Sequence, residues 1–186
     1  PDGSWEVACV GFSDRPDRAM VLDWSRLEQR ALIKMLCESS VSKVLQNGTF
    51  DKTVLADAGV QLRNFDWDTI LAHHTLYLES ASGGDELAAL KGKKSVNPFQ
   101  KGLAFQTSIN TDEPYYKDDG KVWKRTGDLN TFWRYCGLDN CVTREIRDVQ
   151  EAQLKRRKLT GAFLHSMALI EPLYRMTARG IRIDMK

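Results

Sequence analysis

Histidine is scarce in this chain, with three residues, and the four cysteines (Cys9, Cys37, Cys136 and Cys141) form no Cys-x-x-Cys pair. Neither a zinc ribbon, nor a thioredoxin-type motif, nor a Cys/His zinc site is supported by that pattern. Long apolar runs are also lacking, and none reaches the roughly 18 residues that a membrane span needs. The opening Pro1-Asp2-Gly3-Ser4 has no apolar stretch ahead of a cleavage site, so no signal peptide is read there. Reduced thiols and a cytoplasmic, intracellular setting with no membrane partner are the expectation. Charge of one sign is missing as well: 27 Lys+Arg face 25 Asp+Glu, a net charge of +2. A polybasic nucleic-acid binder is far more positive. Any nucleic-acid contact must therefore be local, in a cleft, and helped by metal ions.

What is present is an ordinary globular composition, 42% hydrophobic and 28% charged over 186 residues, enough for one α/β domain with a core. Glu6–Phe12 and Ala19–Trp24 read as strands joined by a turn at Arg15-Pro16-Asp17-Arg18, hence a hairpin. Ser25 and Glu28 have the spacing of a capping box, opening a helix to about Glu38 with Leu27, Ala31 and Met35 inward and Leu32 beside them. Val41–Leu45 is a short strand, Phe50–Ala58 a helix stopped by Gly59, and Asp68 the N-cap of a helix from Thr69. Glu79–Gln100 reads as a partly helical surface excursion and Asp112–Gly127 as a polar loop. From Asp128 the pattern is helical to about Lys155, and Phe163, Met167, Ile170 and Tyr174 continue at helical spacing, with Pro172 marking a kink or a start. Strands come first and helices later, which is the pattern of an α/β or α+β class.

Two constellations carry chemistry: Gln46-Asn47-Gly48-Thr49-Phe50-Asp51 at a strand-to-helix junction, and Tyr135-Cys136-Gly137-Leu138-Asp139 within a helix. Taken singly, each has a plain structural explanation. Asn47 suits an N-cap and Asp51 suits the first helical turn, where the dipole favours a carboxylate. Tyr135 and Asp139, four apart, merely share a helix face. Taken together they offer carboxylates from two elements plus a phenol. Two divalent cations held by converging carboxylates are a known way to hydrolyse a phosphodiester. A phenol, with an unperturbed pKa near 10, stays protonated and would orient a water rather than act as the base.

Asn47-x-x-Phe50-Asp51 resembles the second motif of the DEDD superfamily of 3′–5′ exonucleases, and Tyr135-x-x-x-Asp139 resembles the third motif of its tyrosine-containing branch. Asp68-Thr69 with Leu71-Ala72-His73-His74, and Lys101-Gly102-Leu103-Ala104-Phe105, resemble the segments between them. The resemblance implies a ribonuclease H-like mixed sheet flanked by helices and two divalent cations, Mg²⁺ or Mn²⁺. It implies Asp51 and Asp139 as metal ligands and catalytic groups, Tyr135 positioning the nucleophilic water, and Asn47 and Phe50 holding the terminal nucleotides. The substrate implied is a single-stranded DNA 3′ end. Glu171-Pro172-Leu173 and Arg179-Gly180-Ile181-Arg182-Ile183-Asp184 resemble the junction between the proofreading domain and the thumb of family A DNA polymerases. That favours a proofreading domain, with its polymerase in the same parent chain in a bacterial or phage-like host, over two alternatives: an exonuclease acting on RNA and a non-catalytic bracing domain. The expected division is an exonuclease domain over 1–158 and a helical junction over 159–186.

The family's first motif, Asp-x-Glu on the first strand, is absent ahead of Glu6. The expectation is a truncated domain that lacks its central strand, leaves Glu6–Phe12 and Val41–Leu45 without the neighbour between them, and is poorly active alone. Lys155-Arg156-Arg157-Lys158 reads as a solvated helix end rather than a phosphate grip. Tyr115-Tyr116-Lys117 reads as a loop anchor ahead of a base-stacking platform. His73 and His74 are expected to divide between core and surface.

Overall fold

The computed structural model describes residues 6–77, 101–180 and 182. It shows a mixed α/β architecture in which a long helix carries two small pairs of strands. The expected excursion over Glu79–Gln100 lies outside the described residues, as do Ile181 and Ile183-Asp184 of the proposed junction.

Strands β1 (Cys9–Arg15) and β2 (Arg18–Asp23) form the expected hairpin, antiparallel, with Cys9 opposite Asp23 and Phe12 opposite Met20. Pro16 and Asp17 make the turn; proline supplies a preset φ and aspartate a side chain that tolerates turns. Helix α1 (Leu27–Glu38) follows, but the capping box does not form. Asp23 takes its place: its Oδ1 accepts from the Ser25 N–H at 2.8 Å, and its own N–H donates to Gln29 Oε1 at 2.6 Å. The inward face also differs from expectation. Ile33 and Cys37 are buried with Leu32 and Leu36 packed beside them, whereas Leu27 is 76% and Met35 59% exposed and Ala31 faces outward too. Two apolar stripes compete on this helix. The one that meets Leu22 of β2 and Leu55 is the one that is buried.

Strand β3 (Lys43–Leu45), helix α2 (Gly48–Asp57), strand β4 (Phe65–Asp68) and helix α3 (Thr69–Leu76) form a strand–helix–strand–helix run, with β3 and β4 parallel. Gly59, at φ 79°, terminates α2 in a backbone conformation that suits glycine. Helix α4 (Leu103–Asn110) begins within the Lys101–Phe105 segment named above. The segment read as a loop contains a helix, α5 (Asp119–Thr126), which has two apolar residues, Val122 and Trp123, adjacent in sequence and so no apolar repeat for periodicity to detect.

Helix α6 (Leu129–Arg156) starts at Asp128, whose carboxylate accepts from the N–H groups of Asn130 and Thr131. Its Val142, Ile146, Gln150 and Leu154, spaced by four, form one buried stripe. The segment after it splits at Leu169 into α7 (Thr160–Ala168) and α8 (Ile170–Arg179), with Pro172 in the first turn of α8, where its missing N–H is tolerated. Phe163 of α7 is fully buried against Trp67, ring centroids 4.4 Å apart, in a cluster with Ala72, Leu76 and Leu154. Burial of such side chains contributes about 1.5–3 kcal/mol each. Lys52 of α2 pairs with Glu171 of α8 and lies 4.4 Å from the Tyr174 ring centroid. Arg157, at the end of α6, donates to the Leu76 carbonyl at 2.9 Å and stacks over Tyr77, while Lys155 pairs with Glu151.

Candidate functional site

Among the described residues β1 pairs with β2 alone and β3 with β4 alone. Between the two pairs lies a cavity of about 570 Å³. Residues from Glu6 through Phe12 line one side and Lys43 through Gln46 the other, with Cys136, Asp139 and Asn140 of α6 on its wall. Residues of both β1 and β3 thus line one cavity among the described residues. Gly11 lies close against α6: a Cβ at that position would stand 2.1 Å from Asn140 Nδ2 and 3.1 Å from Cys136 Sγ, so the Asn140 side chain would have to move. The absence of a Cβ lets β1 lie directly on α6.

The cavity brings together the two constellations. Asp51, in α2, and Asp139, in α6, both line it, as does Phe50, which is 44% exposed. Burial, with the Asp68 carboxylate adding to it, pushes Asp51 up from 3.8 to about 6. Asn47 is the N-cap residue of α2, as expected, but it sits in the left-handed region at φ 60° and its side chain makes no capping hydrogen bond. The buried Asp68 carboxylate reaches this helix start instead. It accepts from the N–H groups of Gly48 at 2.8 Å and Asn47 at 3.4 Å, and from those of Ile70 at 2.8 Å and Leu71 at 3.4 Å. One carboxylate thereby caps α3, as expected, and holds the start of α2 against it. It fixes where Asp51 emerges.

A buried amide network holds the other side of this junction. Gln150 Oε1 accepts from Trp67 Nε1 at 3.3 Å, and Gln150 Nε2 donates to the Thr69 carbonyl at 3.0 Å and to Gln106 Oε1 at 2.8 Å. Gln106 Nε2 donates to the Lys101 carbonyl at 2.7 Å and to Gln46 Oε1 at 3.3 Å. Buried amides satisfied in this way rigidify the elements they join. His73 is buried, against Tyr77 and Phe105, and His74 is half-buried.

Asp139 is closely attended. Tyr116 Oη donates to its Oδ1 at 2.6 Å, and the Lys117 ammonium is bonded to the same oxygen. Lys117 Nζ also donates to Tyr135 Oη at 3.3 Å and lies 4.9 Å from the centroids of both tyrosine rings. Burial, reinforced by the Asp139 charge, pushes the Tyr135 phenol up to about 12 and raises Tyr116 as well. Tyr135 thus keeps its proton across the neutral range. Lys117 and Tyr116 escaped the sequence reading as site residues; the one signal was Tyr115-Tyr116-Lys117, which by itself reads equally as a loop anchor. Tyr116 is indeed a buried anchor and Tyr115 is exposed.

Glu6, ahead of β1, also lines the cavity, yet among the described residues no three carboxylate, thiol or imidazole groups converge. Two aspartates, one of them already holding an ammonium, are fewer oxygen ligands than a pair of divalent cations requires. The described residues therefore do not by themselves fit such a pair. No helix among them is long and apolar enough to cross a membrane.

No family model and no solved structure matches the chain. The DNA polymerase I of Synechocystis sp. (strain ATCC 27184 / PCC 6803 / Kazusa) is 31% identical over 149 residues, which cover 76% of this chain. The chain spans 13% of the length of that curated relative. It is similar to a segment of a DNA polymerase.

Proposed function

We propose that the chain belongs to a proofreading 3′–5′ exonuclease domain of a family A DNA polymerase, with a ribonuclease H-like sheet and a helical junction toward the polymerase from residue 159 on. The observation that carries this reading is that Asp51 and Asp139, from separate helices, line one cavity, with the Tyr135 phenol joined to Asp139 through Lys117. The similarity to a DNA polymerase I over 76% of the chain supports it. In this reading Asp51 and Asp139 are two of the ligands for Mg²⁺ or Mn²⁺, which would activate water and stabilise charge on the phosphate. Tyr135, protonated, orients the attacking water, and Phe50 and Asn47, at the start of α2, meet the terminal nucleotides of a single-stranded 3′ end.

In this reading the site takes further carboxylates from a strand beside β1. A strand seated between β1 and β3 would satisfy both facing edges, and an Asp-x-Glu on it would add carboxylates to a wall that has too few. Fusion of such a strand ahead of Glu6 is the test. The completed protein should release mononucleotides from a DNA 3′ end in Mg²⁺, whereas the present chain should release few or none. A completed, folded protein that leaves DNA intact overturns the reading; one that degrades RNA in preference moves the assignment to the RNA-acting branch, since the 2′-hydroxyl is the group that separates the two substrates.

A further inference from the structure

The contact between β1 and α6 brings two thiols together. Side chains alternate along a strand, so Cys9 and Gly11 share one face of β1. That face lies on α6, where a Cβ at Gly11 would stand 3.1 Å from Cys136 Sγ. Cys136 and Asn140, four apart, share a face of that helix, and Asn140 Nδ2 sits 3.8 Å from Cys136 Sγ. The Cys9 and Cys136 thiols are hydrogen-bonded to each other. Both residues are half-buried, and both line the cavity that holds Asp51 and Asp139, so a small solute can reach them. The other two cysteines are placed differently. Cys37 is buried in the apolar cluster with Leu22 and Leu55, and Cys141 is hydrogen-bonded with Ser13.

We propose that Cys9 and Cys136 form a redox pair, closed to a disulfide by a peroxide and reopened by a thiol reductant, and that the closed form ties the β1–β2 hairpin to α6 beside Tyr135. The pairing goes beyond the nuclease reading and does not depend on it. The hydrogen bond gives each sulfur a role. Cys136 donates its S–H to Cys9, which holds the Cys9 thiol below its ordinary value against the opposing effects of burial and the Asp23 charge, while Cys136 is raised. The thiolate is the nucleophile, so Cys9 attacks one peroxide oxygen. The O–O bond breaks, hydroxide leaves and Cys9 becomes a sulfenic acid. The Cys136 sulfur then attacks the Cys9 sulfur, the S–O bond breaks, and the departing hydroxide takes the Cys136 proton as water. Two thiols lose two electrons and two protons, and the peroxide takes them up as two waters. A second thiol already in contact favours the disulfide over further oxidation of the sulfenic acid. In a reducing compartment such a bond is transient, which suits a switch rather than a permanent staple.

The test uses the whole chain as it stands, with hydrogen peroxide as the oxidant. Brief treatment should lower the intact mass by two hydrogen atoms. Proteolysis without reduction should yield one linked peptide pair, carrying Cys9 and Cys136, that dithiothreitol separates. Cys37 and Cys141 should still react with iodoacetamide once the oxidised chain is unfolded. The bond closes a loop that spans most of the chain, so the oxidised chain should melt about 5 °C or more above the reduced one. In Cys136→Ser the reaction should stop at the sulfenic acid of Cys9, trapped by dimedone, with no rise in Tm. The proposal is overturned if all four thiols still react after peroxide, if the bond joins any other pair, if dimedone marks Cys37 or Cys141 in place of Cys9, or if the linked chain melts where the reduced chain does. None of these readouts depends on cleavage of DNA. A strand-completed protein that closes this disulfide but cuts nothing would remove the nuclease reading and leave the redox pair in place.

Discussion

Replacing Asp51 by asparagine should stabilise the protein, and the gain should depend on pH in a defined way. Asp51 is held in the first turn of α2, against the cavity wall, with its carboxyl raised from 3.8 to about 6 mainly by burial. Well below 3.8 the group is protonated in both folded and unfolded chains, so it contributes no pH-dependent difference. Between 3.8 and about 6 the unfolded chain releases the proton while the folded chain retains it, and stability falls as the pH rises. Above that window the folded protein carries the full penalty of an ionised buried carboxylate. At about 1.4 kcal/mol per pH unit the gap is worth about 3 kcal/mol, a ceiling because the group keeps some contact with water. An asparagine side chain is close in shape to the carboxylate and has no charge to release. Urea unfolding at pH 8 should show Asp51→Asn about 1–3 kcal/mol more stable than the parent, equivalent to several degrees in Tm for a chain of this size. At about pH 3, below the unfolded value, the two should be nearly equal. A gain of the same size at both pH values, or a loss at pH 8, would refute the reasoning, since it would place the effect in packing or hydrogen bonding rather than in ionisation.

Other outcomes follow from the packing. Phe163→Ala empties the space beside Trp67 and should cost about 3–5 kcal/mol in chemical denaturation; a loss under about 1 kcal/mol would mean that α7 does not pack on α3 and α6 as described. Asp68→Ala removes the acceptor for four N–H groups at two helix starts and should cost about 2 kcal/mol or more, whereas Asp66→Ala, at an exposed position two residues earlier, should cost less. Ultraviolet titration should show a phenol ionising near pH 12 that disappears in Tyr135→Phe; loss of a transition near the ordinary phenol value of about 10 would contradict the burial of that hydroxyl beside Asp139.

Short-range rules were most readable where one residue type answers one geometric demand. Pro16-Asp17 marks the hairpin, Gly59 the end of α2, and Asp68 and Asp128 the starts of α3 and α6, because each satisfies a backbone need that its neighbours cannot. The inner face of α1 was not readable: Leu27/Ala31/Met35 and Ile33/Leu36/Cys37 are both apolar stripes, and only contact with Leu22 and Leu55 decides between them. Asn47 takes the N-cap position of α2, but its side chain does not do the capping: Asp68, distant in sequence and buried beside it, reaches the N–H groups at that helix start. At the candidate site, Asp51 and Asp139 stood out through their motifs and do share one cavity. Lys117 did not, since nothing in a Tyr-Tyr-Lys run specifies that its ammonium will meet a carboxylate on another helix.

Two aspartates that line one cavity, Asp51 and Asp139, are the centre of the proposed site. A 3′-labelled single-stranded DNA, incubated in Mg²⁺ with the chain extended by an Asp-x-Glu strand, tests this most directly. The expected result is stepwise shortening from the 3′ end that vanishes with Asp139→Asn and is absent from the unextended chain. Equal shortening by the unextended chain, or none by an extended chain shown to be folded, would contradict it.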